Sequence, residues 1–284
     1  SELIISDSVI TIGSNAFSEC FGLSGELIIP KSVITIYDHA FYGCKKFSKL
    51  VLQKNLQNIG YKAFYECSGL IGSLNIPDSV ISIEKYAFYN CYGFNGSLTI
   101  GNSVKIIDDF TFSGCTNFTG QLNIGKGVET ITANSFCGFT KITGDLIIPD
   151  SVIYIGDNAF YKCENLNGSL ILGNSLETIE SNSFYGCSKL TGSLIIPNSV
   201  KSLEHNAFSR CFELNGSLII GNSLIFIKSY MFKDCTKLSG NLTIGESVKK
   251  IGQEAFKGLS KLTGQFNIPN SVTYIGESSF YECS

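Results

Sequence analysis

The chain has 284 residues, 44% of them hydrophobic, and a formal net charge of −3. Charge this close to balance argues against a nucleic-acid or anionic-membrane binder that works through bulk charge. No apolar run approaches the roughly 18 residues needed to span a bilayer, so no membrane insertion is expected from this segment.

Length alone would allow one large core or two globular domains. A repeat overrides that prior. Phenylalanines recur at Phe17, Phe41, Phe64, Phe88, Phe112, Phe136, Phe160, Phe184, Phe208, Phe232, Phe256 and Phe280, 24 residues apart except for 23 between Phe41 and Phe64. A fixed period of this size marks a solenoid, in which each copy is one coil.

Each coil opens with Leu-x-Ile, from Leu3/Ile5 through Leu194/Ile196 to Phe266/Ile268. Alternation marks a short strand, with the outer two side chains inward and the middle one outward. Strands one coil apart are expected to pair in parallel, about 4.8 Å apart. A turn follows, written Pro-x-Ser or Gly-x-Ser, as at Pro197 and Gly221. Proline ends the ladder by lacking an N–H, and glycine is expected to end it by freeing φ. The serine hydroxyl is expected to bond backbone groups inside the turn. An aliphatic pair comes next, Val200 and Leu203 in one coil and Val80 and Ile83 in another. Its three-residue spacing fits a second short extended segment better than a long helix. The Ala-Phe-x-x-Cys stretch then carries the chain back as a turn or a short 3₁₀ piece. The residue before the phenylalanine is mostly Ala or Ser, which implies tight layered packing beside the ring.

Leu-x-Ile-Pro-x-Ser-Val-x-x-Ile-Gly-x-x-Ala-Phe-x-x-Cys resembles the BspA-like, or treponemal-type, leucine-rich repeat. Ile148-Pro149-Asp150-Ser151-Val152, Ile155-Gly156, Ala159-Phe160 and Cys163 carry the likeness well, and it recurs along essentially the whole chain. The resemblance implies a mainly β repeat solenoid: a right-handed leucine-rich-repeat superhelix of about twelve 23–24-residue coils with one long parallel sheet. It implies a single solenoid over 1–284. It further implies a non-enzymatic, cell-surface or secreted adhesion module that binds a protein ligand, such as host matrix or another cell surface. The family offers no catalytic residues to carry over.

Ten of the eleven cysteines stand three residues after the phenylalanine. Phe139 and Leu259 fill that slot elsewhere, so it reads as an apolar packing position holding a small buried hydrophobe. One cysteine per coil gives no CxxC spacing, which weighs against zinc. Disulfides between adjacent coils remain possible if the Cβ orientations suit. Cys137 is out of register and is the expected exposed thiol. His39 and His205 fall at variable, solvated positions, and repeated carboxylates such as Glu180 and Glu204 read as a solvated face. No P-loop, HExxH or Ser/His/Asp set appears. No catalytic residue, metal site or cofactor is therefore assigned, and no nucleic-acid partner.

Binding is expected on the sheet face, the usual contact surface of a solenoid. Its centre row contains four successive isoleucines, Ile147, Ile171, Ile195 and Ile219, which would form an exposed apolar stripe between polar rows. The competing reading is strand propensity alone. A second column, Tyr42, Tyr65, Tyr89, Tyr161, Tyr185 and Tyr281, is expected to pack on itself along the coil edge. Sequons stand at Asn95, Asn117, Asn167, Asn215 and Asn241 and matter only for a secreted eukaryotic protein. The sequence starts and stops inside ordinary repeats without a polar cap, so a signal peptide is expected to be absent, already removed, or outside this segment. The expectation is a fragment of a longer array, or a unit whose Leu3–Ile5 edge meets the Phe266–Ile268 edge of another copy and builds filaments end to end.

Overall fold

The structure is a computed structural model and describes residues 1–263 and 267–283. The chain divides into two compact units, Ser1–Ile142 and Thr143–Ser284. Each is a parallel β-solenoid, and no helix occurs among the described residues.

In the first unit the second extended segment of each coil forms the longer ladder. Thr11–Ile12, Thr35–Ile36, Asn58–Ile59, Ser82–Ile83, Ile106–Ile107 and Thr130–Ile131 pair in that order, all parallel. The Leu-x-Ile segments pair in shorter runs. Gly25–Ile28 pairs with Phe47–Val51, and Leu74–Asn75, Leu98–Thr99 and Leu122–Asn123 pair together. In the second unit Leu146–Ile147 pairs with Leu170–Ile171, and Leu194–Ile196, Leu218–Ile220 and Leu242–Thr243 form a second run. The sheet thus comes as two strand columns per coil, the Leu-x-Ile column broken and the Val-x-x-Ile column longer. Leu3–Ile5 has the inward–outward–inward burial of a strand, with Ile4 89% exposed, but is not one. Phe266 lies outside the described residues.

The coil of 23 residues has a local cause. It lacks the residue that carries the bend before the strand, so Phe47 runs straight into a longer strand. The register shifts at Gly25/Glu26 to absorb the difference.

Side chains that recur inward make the core. Ring centroids of the phenylalanine column lie 5.1–5.6 Å apart from Phe17 to Phe136, with the ring planes nearly parallel at each step. From Phe160 to Phe280 they lie 5.0–5.9 Å apart. Ala or Ser before most of the rings leaves room for that stack, as Ala63, Ala87, Ser183 and Ala207 do while fully buried; Thr111 and Met231 stand there in two coils. The return path is a series of turns, and it too is laddered. Phe64 N donates to Ala87 O at 2.8 Å and Phe184 N to Ala207 O at 2.8 Å.

Two expectations about the turns need correction. Gly101, Gly125, Gly173, Gly221 and Gly245 do not have positive φ. They are glycine for space: a Cβ on Gly245 would lie 2.2 Å from Gly221 O. Ser32, Ser79 and Ser271 bond across coils rather than within their own turns, each reaching a carbonyl of the preceding coil. Ser32 Oγ donates to Val9 O and Ser79 Oγ to Leu56 O, both at 2.7 Å, while Asn55 Nδ2 donates to a different carbonyl of the preceding coil, Lys31 O, at 2.9 Å.

Candidate functional site

The isoleucine row is held by the second unit. Leu146, Leu170, Leu194 and Leu218 point inward and are buried, so pleating turns the next residue outward. Ile147, Ile171, Ile195 and Ile219 are accordingly 52%, 50%, 53% and 37% exposed. Ile147 stands directly beside Ile171, and Ile195 beside Ile219, in parallel register. Between the two pairs the strand ladder gives way to a single bridge, Ser169 to Thr191. The coils stay adjacent there because Thr178 pairs with Ser202 and Ile179 with Leu203 on the other face.

Polar rows flank the isoleucines and are tied down. Ser217 N donates to Ser193 Oγ at 3.0 Å and Ser169 N to Asp145 Oδ1 at 2.7 Å. On the far side Asn174 N donates to Asp150 Oδ1 and Asn222 N to Asn198 Oδ1, both at 2.8 Å. These side chains satisfy backbone donors where the coil bends away from the ladder, which makes the rim rigid. Sequence reasoning placed the isoleucines between polar rows but missed the coil-to-coil bonds that tie those rows down; the recurrence of Asp, Asn and Ser in fixed columns was the available signal.

The first unit carries a different surface. Its tyrosine column stacks, Tyr42 on Tyr65 at 4.9 Å and Tyr65 on Tyr89 at 5.0 Å. Tyr61, Tyr86 and Phe110 join it edge-on and face-on. Lys62 Nζ lies 5.0, 5.1 and 5.6 Å from the centres of Tyr61, Tyr65 and Tyr86. His39 was expected in solvent; instead it packs half-buried between Tyr42 and Tyr61. His205 is exposed. Burial, reinforced by Glu66 and the neighbouring tyrosines, pushes the Tyr65 phenol above its usual range. In the second unit Tyr161 stacks on Tyr185 at 5.2 Å.

The residue two before each phenylalanine is left-handed in every coil, with φ of 50–62° at Asn15, His39, Lys62, Tyr86, Phe110, Asn134, Asn158, Asn182, Asn206, Tyr230, Glu254 and Ser278. That conformation swings these side chains out of the coil, and it is why Tyr86 and Phe110 reach the tyrosine stack.

The cysteines are thiols and none is in a disulfide. Cys44, Cys67, Cys91 and Cys115 are buried, and each Sγ donates to the phenylalanine carbonyl of the preceding coil at 3.0–3.1 Å. Cys187, Cys211 and Cys235 do the same at 3.2–3.4 Å. The column therefore selects a small apolar group that is also a weak donor. Burial pushes Cys44 up to about 11 and Cys67 and Cys91 well above their ordinary value. Such thiols are poor nucleophiles at neutral pH. Cys137 is half-buried rather than exposed, as are Cys20 and Cys283.

Glu180 and Glu204 are half-buried too, not fully solvated. Burial, with Asp157 and Glu204 nearby, raises Glu180 above the usual carboxylate range. Among the described residues no group of three or more His, Cys, Asp or Glu side chains could hold a metal ion. No helix among them is long and apolar enough to cross a membrane.

Similar solved structures share the repeat fold. No curated protein matches the chain. A leucine-rich repeat protein from Bacteroides ovatus ATCC 8483 superposes with a TM-score of 0.67 at 22% identity, over 97% of this chain and 80% of that one. A leucine rich cell surface protein from Faecalibacterium prausnitzii A2-165 gives a TM-score of 0.55 at 27% identity, over 97% of this chain and 81% of that one. The pattern described as a BspA type leucine rich repeat region (6 copies) matches residues 1–119, 70–191 and 167–284. The chain belongs to the BspA-type leucine-rich repeat family.

Proposed function

We propose that this chain is a non-enzymatic protein-binding scaffold, displayed at the cell surface or secreted, that adheres to a matrix protein or another cell through its isoleucine row. The observation that carries the reading is four large aliphatic side chains, each about a third to a half exposed, in one column of a rigid frame. Isolated exposed isoleucines need no explanation, whereas a row of them with a fixed polar rim has the anatomy of a contact patch. The surface reading is supported by family membership and by the similar cell surface protein of Faecalibacterium prausnitzii. The deep burial and raised pKa of the thiols fit a scaffold rather than a reactive centre.

The test is a binding screen of the immobilised chain against matrix proteins and whole cells, repeated with Ile171→Asp/Ile195→Asp. Binding that falls at least tenfold in the variant, with circular dichroism unchanged, supports the reading. Binding that is untouched by the variant moves the contact surface elsewhere.

A further inference from the structure

We infer that the isoleucine row is shaped for an amphipathic helix of the partner, laid lengthwise along the row with its positive end toward Asp145 and Asp150. This rests on the reading of the row as the contact surface and adds what kind of segment fits it.

The first argument is pitch. Ile147 and Ile171, and likewise Ile195 and Ile219, stand on neighbouring parallel strands, which lie about 4.8 Å apart. An α-helix climbs 5.4 Å per turn, and an apolar seam at alternating three- and four-residue spacing recurs about every 5.2 Å. Knobs on such a seam would meet the gaps between successive isoleucines along the whole row. Side chains on one face of an extended strand stand about 6.6–6.8 Å apart. Over three steps a strand would drift by roughly one full row against this surface.

Charge supplies the second argument. Ser169, Ser193 and Ser217 line one side of the row, and Asn174, Asn198 and Asn222 lie beyond the other. A long apolar seam can therefore be covered without burying a charge. The exception is the Ile147 end, where Asp145 and Asp150 are both exposed on either side of the row. A single carboxylate, Glu246, stands one coil past Ile219. Two carboxylates against one favour the partially positive N-terminus of a helix, or its lysines, at the Ile147 end. A second copy of this chain does not meet these terms, because its own row is a strand face and no helix occurs among its described residues.

The experiment uses labelled peptides of about 14 residues, two heptads long, titrated into the full chain by fluorescence anisotropy. One has a leucine/isoleucine seam at helical spacing with lysines at its N-terminal end. A second moves the lysines to the C-terminal end. A third is an isomer of the same composition with strict apolar/polar alternation. The first peptide should bind at least tenfold tighter than the alternating isomer and lose at least tenfold in Ile171→Asp/Ile195→Asp. It should also beat the second peptide by about two- to fivefold, the size of an exposed helix-dipole effect, and Asp145→Asn/Asp150→Asn should erase that preference. Should the aspartate variant fail to fold, Ile171→Asn/Ile195→Thr replaces it. Those are residue types the first unit tolerates in the same row, at Asn75 and Thr99.

Equal or tighter binding of the alternating isomer, or no saturable binding of the helical peptide, overturns the inference. So does a dimer in sedimentation that Ile171→Asp/Ile195→Asp dissolves. If matrix or cell binding remains sensitive to the row, only the helix falls; if that sensitivity is also missing, the reading of the row falls with it.

Discussion

Two stretches of one strand column differ in a way that separates frame from function. In the first unit the outward row begins aliphatic, at Ile4, Ile28 and Val51, and turns polar at Asn75, Thr99 and Asn123; in the second it runs Ile147, Ile171, Ile195, Ile219 and Thr243. The inward neighbours hardly change: Leu74, Leu98 and Leu122 match Leu146, Leu170 and Leu194, all buried. Asn123 Nδ2 donates to Thr99 Oγ1 at 3.3 Å, so the polar row satisfies part of itself along the stack. The isoleucine row has no such internal bonding to make and leaves four aliphatic side chains exposed. Equal frames with unequal faces mean that packing does not dictate the outward residue, and there selection by a partner has room to act.

The largest expected effect tests the sameness of the frames. Phe88→Ala in the first unit and Phe184→Ala in the second each remove a fully buried ring stacked on two others. Each should cost about 3–5 kcal/mol in denaturant unfolding. A loss confined to one unit would show that the two cores are not equivalent.

Next in size is the contrast between faces. Ile171→Asp should change stability by less than about 1 kcal/mol, as exposed strand positions usually do. Leu170→Asp, one residue away and buried, should prevent folding of its coil. Similar melting curves for the two variants would mean that the inward and outward assignments are wrong.

The thiol column predicts a pH effect of intermediate size. Raised folded-state values mean that these cysteines stay protonated in the fold while the unfolded chain ionises. Their stabilising share is complete below about pH 9 and is lost as pH rises toward about 11, the value for Cys44. The melting temperature should therefore fall across that window, and less steeply in Cys67→Ala. Labelling of the native protein at neutral pH should be slow at Cys67 and Cys91, while Cys20, Cys137 and Cys283 react first. Rapid labelling of all eleven would contradict their burial.

The smallest effect concerns backbone strain. Lys162 has φ 55° in a slot where Gly43, Gly114, Gly138, Gly186 and Gly258 stand in other coils. Lys162→Gly should be neutral to stabilising by about 0.5 kcal/mol, once the relief of left-handed strain is set against the entropy glycine loses on folding. A clear loss would show that Lys162 over the Tyr161 ring matters more than its backbone.

The period, the core columns and the outward isoleucines were legible in the sequence because each depends on one residue type repeated at a fixed step. Residues set by the neighbouring coil were harder to read. Gly245 looked like a residue chosen for φ, but it is glycine because Gly221 O stands against it. Ser32 looked like a turn residue, but its acceptor is Val9 O one coil away. Tyr86 and Phe110 gave no sign of a left-handed backbone, since bulky aromatics seldom adopt it. Their place in the aromatic stack followed from that conformation and was missed with it. Cys137 looked exposed by register alone, yet its neighbours half-cover it.

The most direct test of the central claim exchanges the faces without touching the cores. Ile147→Asn, Ile171→Thr, Ile195→Asn and Ile219→Thr together give the second unit the polar residues that Asn75, Thr99 and Asn123 place in the row of the first. The account predicts unchanged circular dichroism and melting within a few degrees, with matrix or cell adhesion reduced at least tenfold. Full adhesion by that folded variant would contradict it.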